Sequence, residues 1–497
     1  MFEATGRDKF ANVPPSVYHV AGVLQADGSG NIIGGELLYE DQPENNNVVD
    51  PITGGSYTIG STDGRGTITL NTNDTGIGVN GVLTFSLAMV SGTQGLITQF
   101  DTSASSTGTL DLQTPYSATN LLTGGYAFVT SGVDSAAEGR FPLGMGGVFN
   151  VDGVGTISGN GTVMDLIDNG VVTSGAGLTI AGSVASPDQF GKVVVNLNPA
   201  FPGSPAITLA GFIVDDTHIK LIERDQLFVT GGIAYAQGSS TGTFTGNGAF
   251  NTTVVYSTSG YSTVSKSTEQ PTVYAGEFTA NGSGSLTNGY TDENQFGLLT
   301  SDTLTGSYAV DSTGTGRVVT SNVFYGSSGP GPSWIFYLTG ASDAPALILQ
   351  VNGSTHNSSN YIETVGTAYT QAAGPPGVSS FTGPYGMGFS YFPASGGEDD
   401  GSGQVKADGA GNLTPGTDDA NVCVIGVQLC TSFDPMQGLP LSGIFSSSGA
   451  PGRFIGALND NTVFNFDPIA FYIANRTRIL FIDMGSVPAL GVFRQQE

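Results

Sequence analysis

Positive charge is almost missing from this chain: Lys and Arg number 14 in 497 residues, against 41 Asp and Glu, for a formal net charge of −27. A surface of that sign repels phosphate backbones and anionic headgroups, and no basic cluster offers local relief, so nucleic acid is excluded as a partner. No apolar run approaches the length of a membrane helix, which argues against a protein integral to the membrane. Cysteine is nearly absent too. Cys423 and Cys430 lie in a polar stretch with Asp418, Asp419 and Asn421, and no further Cys or His stands near enough to complete a metal set. They read as a local disulfide first and as two free thiols second. Only three histidines occur, His19, His218 and His356, at different repeat positions and without zinc-type spacing, so neither a metal site nor a general base is expected. No cofactor is implied. The start, MFEATGRDKF, lacks a positive segment followed by an apolar one, so no signal peptide is written there.

What the chain has in plenty is glycine, 76 residues, while charged residues make up only 11%. Ser, Thr and Asn separate short apolar runs. That composition favours strands and tight turns over helices. With 28 Phe and 18 Tyr it is also too rich in rings to stay disordered, because those rings need burial.

Internal similarity decides the architecture. One motif recurs as GVLQADGSGNIIGG from Gly22, GVFNVDGVGTISGN from Gly147, GEFTANGSGSLTNG from Gly276 and GQVKADGAGNLTPG from Gly403, at separations of 125, 129 and 127 residues. It reads as a hairpin. Asp27-Gly28, Asp152-Gly153, Asn281-Gly282 and Asp408-Gly409 supply the positive φ angles that join two adjacent antiparallel strands. An oxygen-rich calcium loop is the weaker reading, since no full EF-hand pattern appears and one copy carries Asn. A second hairpin follows in each copy, from Gly55, Gly182, Gly306 and Gly443. Its returning strand opens on Gly followed by Arg65, Lys192, Arg317 or Arg453. The offset between the two motifs is longest in the fourth copy, where the insertion carries both cysteines.

Each copy closes on two apolar strands and a last strand ending in glutamine: GTLDLQ, GIAYAQ, GTAYTQ and GVFRQQ. An opening strand, clearest in GGYAFVTSG and GPYGMGFSY, brings the count to about eight. The chain is therefore read as all-β, four tandem antiparallel units over 1–113, 121–237, 243–371 and 378–497. An eight-strand meander favours a closed up-and-down barrel, because closure removes exposed edges; two-sheet sandwiches are the alternative. Linkers are expected at 117–120, 238–242 and 372–380.

The phrases ADGSGNI, GRGTITL and TGTLDLQ carry a resemblance to a group of large tandem-repeat proteins exported by soil bacteria, whose units run YAF…GSFxADGxGxIxxG…GxYxxxxxGRGTxTL…GxLxLQ. It covers nearly the whole chain and is weakest in the second copy. The resemblance implies export and repetition, and nothing about chemistry. Aligned on the second unit, MFEATGRDKF falls inside the opening strand. That predicts a truncated first unit with a poorly paired edge, the signal peptide being lost with the missing start.

The four repeated cations are the positions any function must explain. They read as structural covers of the barrel ends, each stacking on an aromatic ring or pairing with a carboxylate of its own unit such as Asp41, Asp292 or Asp418. The alternative is an anion contact in each barrel mouth. Asp215 and Asp216 beside His218 read as hairpin turn residues, and Gly-Ser-Ser-Thr-Gly at 238 as a linker rather than a nucleophile elbow. Trp334, the single Trp, belongs to a core strand. Tyr256, Tyr261 and Tyr274 flank a Ser/Thr-rich segment that would have to present any glycan platform. The expectation is a non-catalytic structural or adhesive protein of the cell exterior, meeting cell-surface or matrix components. Behind it stand a lipocalin-like array for small apolar ligands, a glycan-binding or hydrolytic protein, and an outer-membrane barrel, disfavoured by short, Gly-broken strands.

Overall fold

The computed structural model describes residues 1–9, 16–41, 48–114, 121–134, 141–159, 161–168, 170–173, 179–200, 206–225, 228–264, 269–326, 329–351, 360–374, 376–393, 397–426 and 430–497. Apart from three short 3-10 turns, the regular structure there is all strand. It forms four closed antiparallel barrels in tandem, rather than sandwiches.

The strands follow from alternation. In RGTITLNT, Arg65–Thr72, Ile68 and Leu70 point inward and Thr67 and Thr69 outward, which is the two-residue period of a sheet with one wet face. Repeat 1 runs through eight such strands from Phe2–Asp8 to Ala104–Asp111, and repeat 4 from Thr382–Tyr391 to Ala489–Gln495. Repeats 2 and 3 close the same circuit with small irregularities. In repeat 2 the third strand is broken into Thr156–Ile157 and Val163–Asp168, and both pieces pair with the second strand, Phe141–Asp152. Every barrel closes by pairing its first strand with its eighth, as in Phe2↔Leu110, Tyr126↔Ala236, Val254↔Thr370 and Tyr385↔Gln495. The short opening strand Phe2–Asp8 is paired along its whole length on both sides, so the expected weak edge is not there.

Each barrel interior is filled by its own apolar cluster. Phe85 and Leu70 sit in repeat 1, Phe128 and Leu209 in repeat 2, Phe278 and Trp334 in repeat 3, and Phe471 and Phe481 in repeat 4. Trp334 is core, as its apolar strand implied. Of the expected linkers, 117–120 lies outside the described residues and Gly238–Ser240 forms a 3-10 turn.

The chain divides into two compact units. The first holds Met1–Leu112, Phe296–Leu299 and Ala372–Glu497, hence repeats 1 and 4; the second holds Gln113–Gln295 and Thr300–Gln371, hence repeats 2 and 3. In the first unit, the last three strands of repeat 1 (Val82–Met89, Gln94–Gln99 and Ala104–Asp111) pack on the first two of repeat 4, Thr382–Tyr391 and Asp399–Asp408. In the second, the corresponding strands of repeat 3 (Trp334–Leu338, Ala346–Val351 and Asn360–Thr370) pack on Thr123–Asp134 and Phe141–Asp152 of repeat 2. Glycine permits the approach. A Cβ on Gly146 would stand 2.3 Å from the Tyr337 ring, so this face of repeat 2 tolerates its partner only where the side chain is absent.

Candidate functional site

The repeated cations do occupy equivalent positions. Arg65, Lys192, Arg317 and Arg453 each begin the fifth strand of their barrel and pair with the sixth at Ala88, Phe212, Tyr337 and Tyr472. For two of them, Arg317 and Arg65, the direction corrects the expectation of a partner in their own unit. Arg317 alternates with inward-facing Val318, so its side chain leaves the outer wall and not the barrel end. It crosses to repeat 2, where Nε and a terminal nitrogen each donate to Asp165 at 2.7 Å, and Tyr337 of its own repeat donates to the same carboxylate at 2.7 Å. Arg65 likewise crosses to repeat 4 and pairs with Asp419, which also accepts from Ser86 Oγ and the Gly438 N–H. The partner is Asp419, not the adjacent Asp418. Lys192 stays within its repeat, on Asp188 at 2.9 Å, and Arg453 is buried. Of the other two expected partners, Asp292 accepts from Ser301 of its own repeat and Asp41 lies beside Asp8 of its own repeat.

Asp165 and Asp419 are one position in two repeats. Across the second and third strands, Gly146 faces Asp165 and Ser402 faces Asp419, each next to the first-motif glycine, Gly147 or Gly403. The cation and this carboxylate therefore form a recurring bridge between paired repeats. Buried, planar and bidentate, the Arg317 arm is the strong form of such a contact.

Three of the closing glutamines, which the sequence marked only as strand ends, make the second recurring contact, whereas Gln371 donates to Glu277 of its own repeat at 2.9 Å. The Gln113 amide donates to the Phe190 and Ile213 carbonyls of repeat 2 at 3.1 and 3.0 Å. Gln237 donates to Thr315 and Leu338 of repeat 3, both at 2.8 Å, and Gln496 to Asp63 and Met89 of repeat 1 at 3.1 and 2.8 Å. In each case the first acceptor lies two residues before the repeated cation. The clue was the recurrence of Gln itself, since an amide that only ended a strand could be any polar residue. Replacing Gln237 by Ala leaves two sheltered carbonyls unpaired and is expected to cost about 1–3 kcal/mol. Urea unfolding read by Trp334 fluorescence checks it; a midpoint unchanged from wild type would show that water replaces the amide at no cost.

The turn residues do what their type suggested. Asp27 Oδ1 accepts the N–H groups of Ser29 and Asn31 at 2.7 and 3.0 Å, and Asp152, Asn281 and Asp408 repeat the pattern two and four residues on. Gly28, Gly153, Gly282 and Gly409 carry φ of 77°, 82°, 71° and 72°. The Asn412 side chain, with the backbone donors, holds the Asp408 carboxyl down to about 2. Asp215 also caps a turn, at the Thr217 N–H. Among the described residues no group of three or more His, Cys, Asp or Glu is placed to hold a metal ion.

Other candidates are dispersed or buried. His19 is enclosed beside Thr5, and burial pushes it down to about 3. His218 stacks on Tyr235, and His356 lies outside the described residues. Tyr256 and Tyr274 are no platform: they are buried inside repeat 3, donating to Thr291 and Glu293, while Tyr261 is half-buried. Cys423 and Cys430 are joined by a disulfide with Cα atoms 5.5 Å apart; Val427–Leu429 between them lie outside the described residues. An open groove of about 460 Å³ lined by Thr243, Phe244, Thr245, Gly246, Gly248 and Ala249 carries no titratable group.

No protein-family model matches the chain, and no curated protein is significantly similar to it. Among the described residues no helix is long and apolar enough to cross a membrane.

Proposed function

We propose that this chain is a non-catalytic structural or adhesive repeat protein of the cell exterior, working through rigid paired barrels and the outer surfaces they hold toward cell-surface or matrix components. The observation that carries the reading is where the reactive groups go. Two of the repeated cations bridge barrels, through Arg65–Asp419 and Arg317–Asp165, and the interiors are packed with aromatic and aliphatic side chains. A filled small barrel is a support rather than a container. The disulfide and the acidic, Lys-poor composition suit an exported protein.

Mass spectrometry of material extracted from the natively purified chain tests this. No small molecule is expected at stoichiometric amount. A bound apolar compound recovered at one or more equivalents would favour the ligand-carrying, lipocalin-like reading instead, and would require the barrel cores to open around it.

A further inference from the structure

The two seams between paired repeats use the same strands but different chemistry. In repeats 2 and 3, Val129, Val148 and Val163 meet Ile335, Leu347 and Leu349 in an apolar cluster beside Arg317–Asp165. In repeats 1 and 4 the contact is polar. Asn421 Nδ2 reaches the Gln99, Asp101 and Ala104 carbonyls at 2.9, 2.9 and 2.7 Å, and Ser402 meets Ser86 at 3.2 Å.

At the centre stands Asp400, fully buried, accepting from Ser390 of its own repeat at 2.6 Å and from Ser105 of repeat 1 at 2.7 Å. Glu398, two residues before it, is 5% exposed, and its carboxyl lies beside that of Asp400. Two neighbouring buried carboxyls cannot both keep a negative charge, so a proton between them is what a closed, dry seam favours. The second unit has Gly144 in place of Asp400: Gly144 pairs with Ser131 as Asp400 pairs with Ser390.

We infer that the seam between repeats 1 and 4 is a proton-held latch, closed while Glu398 and Asp400 share a proton and loosened when both ionise. The charged and titratable groups around the pair are Arg7 and Tyr18 of repeat 1, with Asp8 and Asp101 behind Tyr18, then Asp399 on the same strand and the Arg65–Asp419 pair two ladder positions along. Arg7 favours the ionised Glu398, but burial and Asp400 outweigh it, raising Glu398 well above the usual carboxylate range. Burial raises Asp400 to about 7. Both groups therefore favour the closed seam at acidic pH and oppose it once the solution is alkaline.

Hydroxyl-radical footprinting of the full chain tests the latch. Leu96 is 4% exposed over Gly388 of repeat 4, and Leu349 is buried in the other seam. Between about pH 5 and about pH 9, oxidation of Leu96 is expected to rise about 5-fold or more while that of Leu349 does not. The E398Q/D400N variant, compared with wild type at the same pH, should keep Leu96 protected throughout. If the double variant does not fold, either single variant, in which two charges can no longer meet, should keep Leu96 protected up to about pH 9. Leu96 equally protected at both pH values in wild type, or Leu96 and Leu349 rising together, would overturn the inference.

Discussion

Replacing Arg317 by alanine is expected to lower the unfolding free energy by about 3–5 kcal/mol, one of the largest single-residue effects in the chain. Asp165 is fully buried, and Arg317 is 4% exposed. Removing the guanidinium takes two charged hydrogen bonds from Asp165, while Tyr337 still donates to it, in a seam that otherwise holds Val163, Leu347 and Leu349. The cost is that of a stranded charge, not the net worth of the pair. Exchanging both partners for leucine should therefore lose much less than Arg317→Ala alone. Arg65→Ala should also lose less, because Asp419 retains Ser86 and the Gly438 N–H. Chemical denaturation followed by Trp334 fluorescence reads the result in the unit that contains Arg317. If Arg317→Ala and the double leucine variant unfold at the same midpoint, the bridge is not what holds Asp165 in place.

The repeat, its hairpins and the eight-strand closure were legible because each is written locally. Asp-Gly pairs mark turns needing positive φ, and alternation marks strands. Direction along a strand was legible as well, but Tyr256 and Tyr274 show how neighbouring composition misleads. Serine and threonine flank them, yet the strand alternation sends both rings into the repeat 3 core, Tyr256 against Phe278 and Trp334. Which repeat pairs with which was not legible. Arg65 and Asp419 are 354 residues apart, and nothing local says that a cation repeated in four copies leaves its own copy in two of them. Alignment also hid the acceptor. Asp419 lies 11 residues after its turn residue Asp408 and Asp165 lies 13 after Asp152, because the third strand of repeat 2 is interrupted. Only the pairing register brings the two together.

The same register makes Asp418 the residue whose replacement should most change the pH dependence of stability. Asp418 faces Gly403 as Leu37, Met164 and Thr291 face Gly22, Gly147 and Gly276, so a carboxyl occupies a core position that two of the other repeats give to an apolar side chain. It is fully buried, and neither oxygen has a hydrogen-bond partner. Burial first, then Asp460 and Asp419 nearby, push it up to about 8 from an ordinary 3.8. Across that window the unfolded chain has released a proton that the folded state retains, so stability falls as pH rises, by up to about 1.4 kcal/mol per pH unit. Below the window the group is protonated in both states and the contribution is constant. Asp418→Asn removes the titration. It should match wild type within about 1 kcal/mol near pH 4 and exceed it by about 3 kcal/mol or more near pH 9, while Asp418→Leu should add apolar packing at both. Denaturant unfolding at a series of pH values, followed by far-ultraviolet circular dichroism and tyrosine absorbance, measures the slope. Parallel wild-type and Asp418→Asn curves would mean that the carboxyl ionises inside the fold at its ordinary value, as it could only if water or a cation reached it.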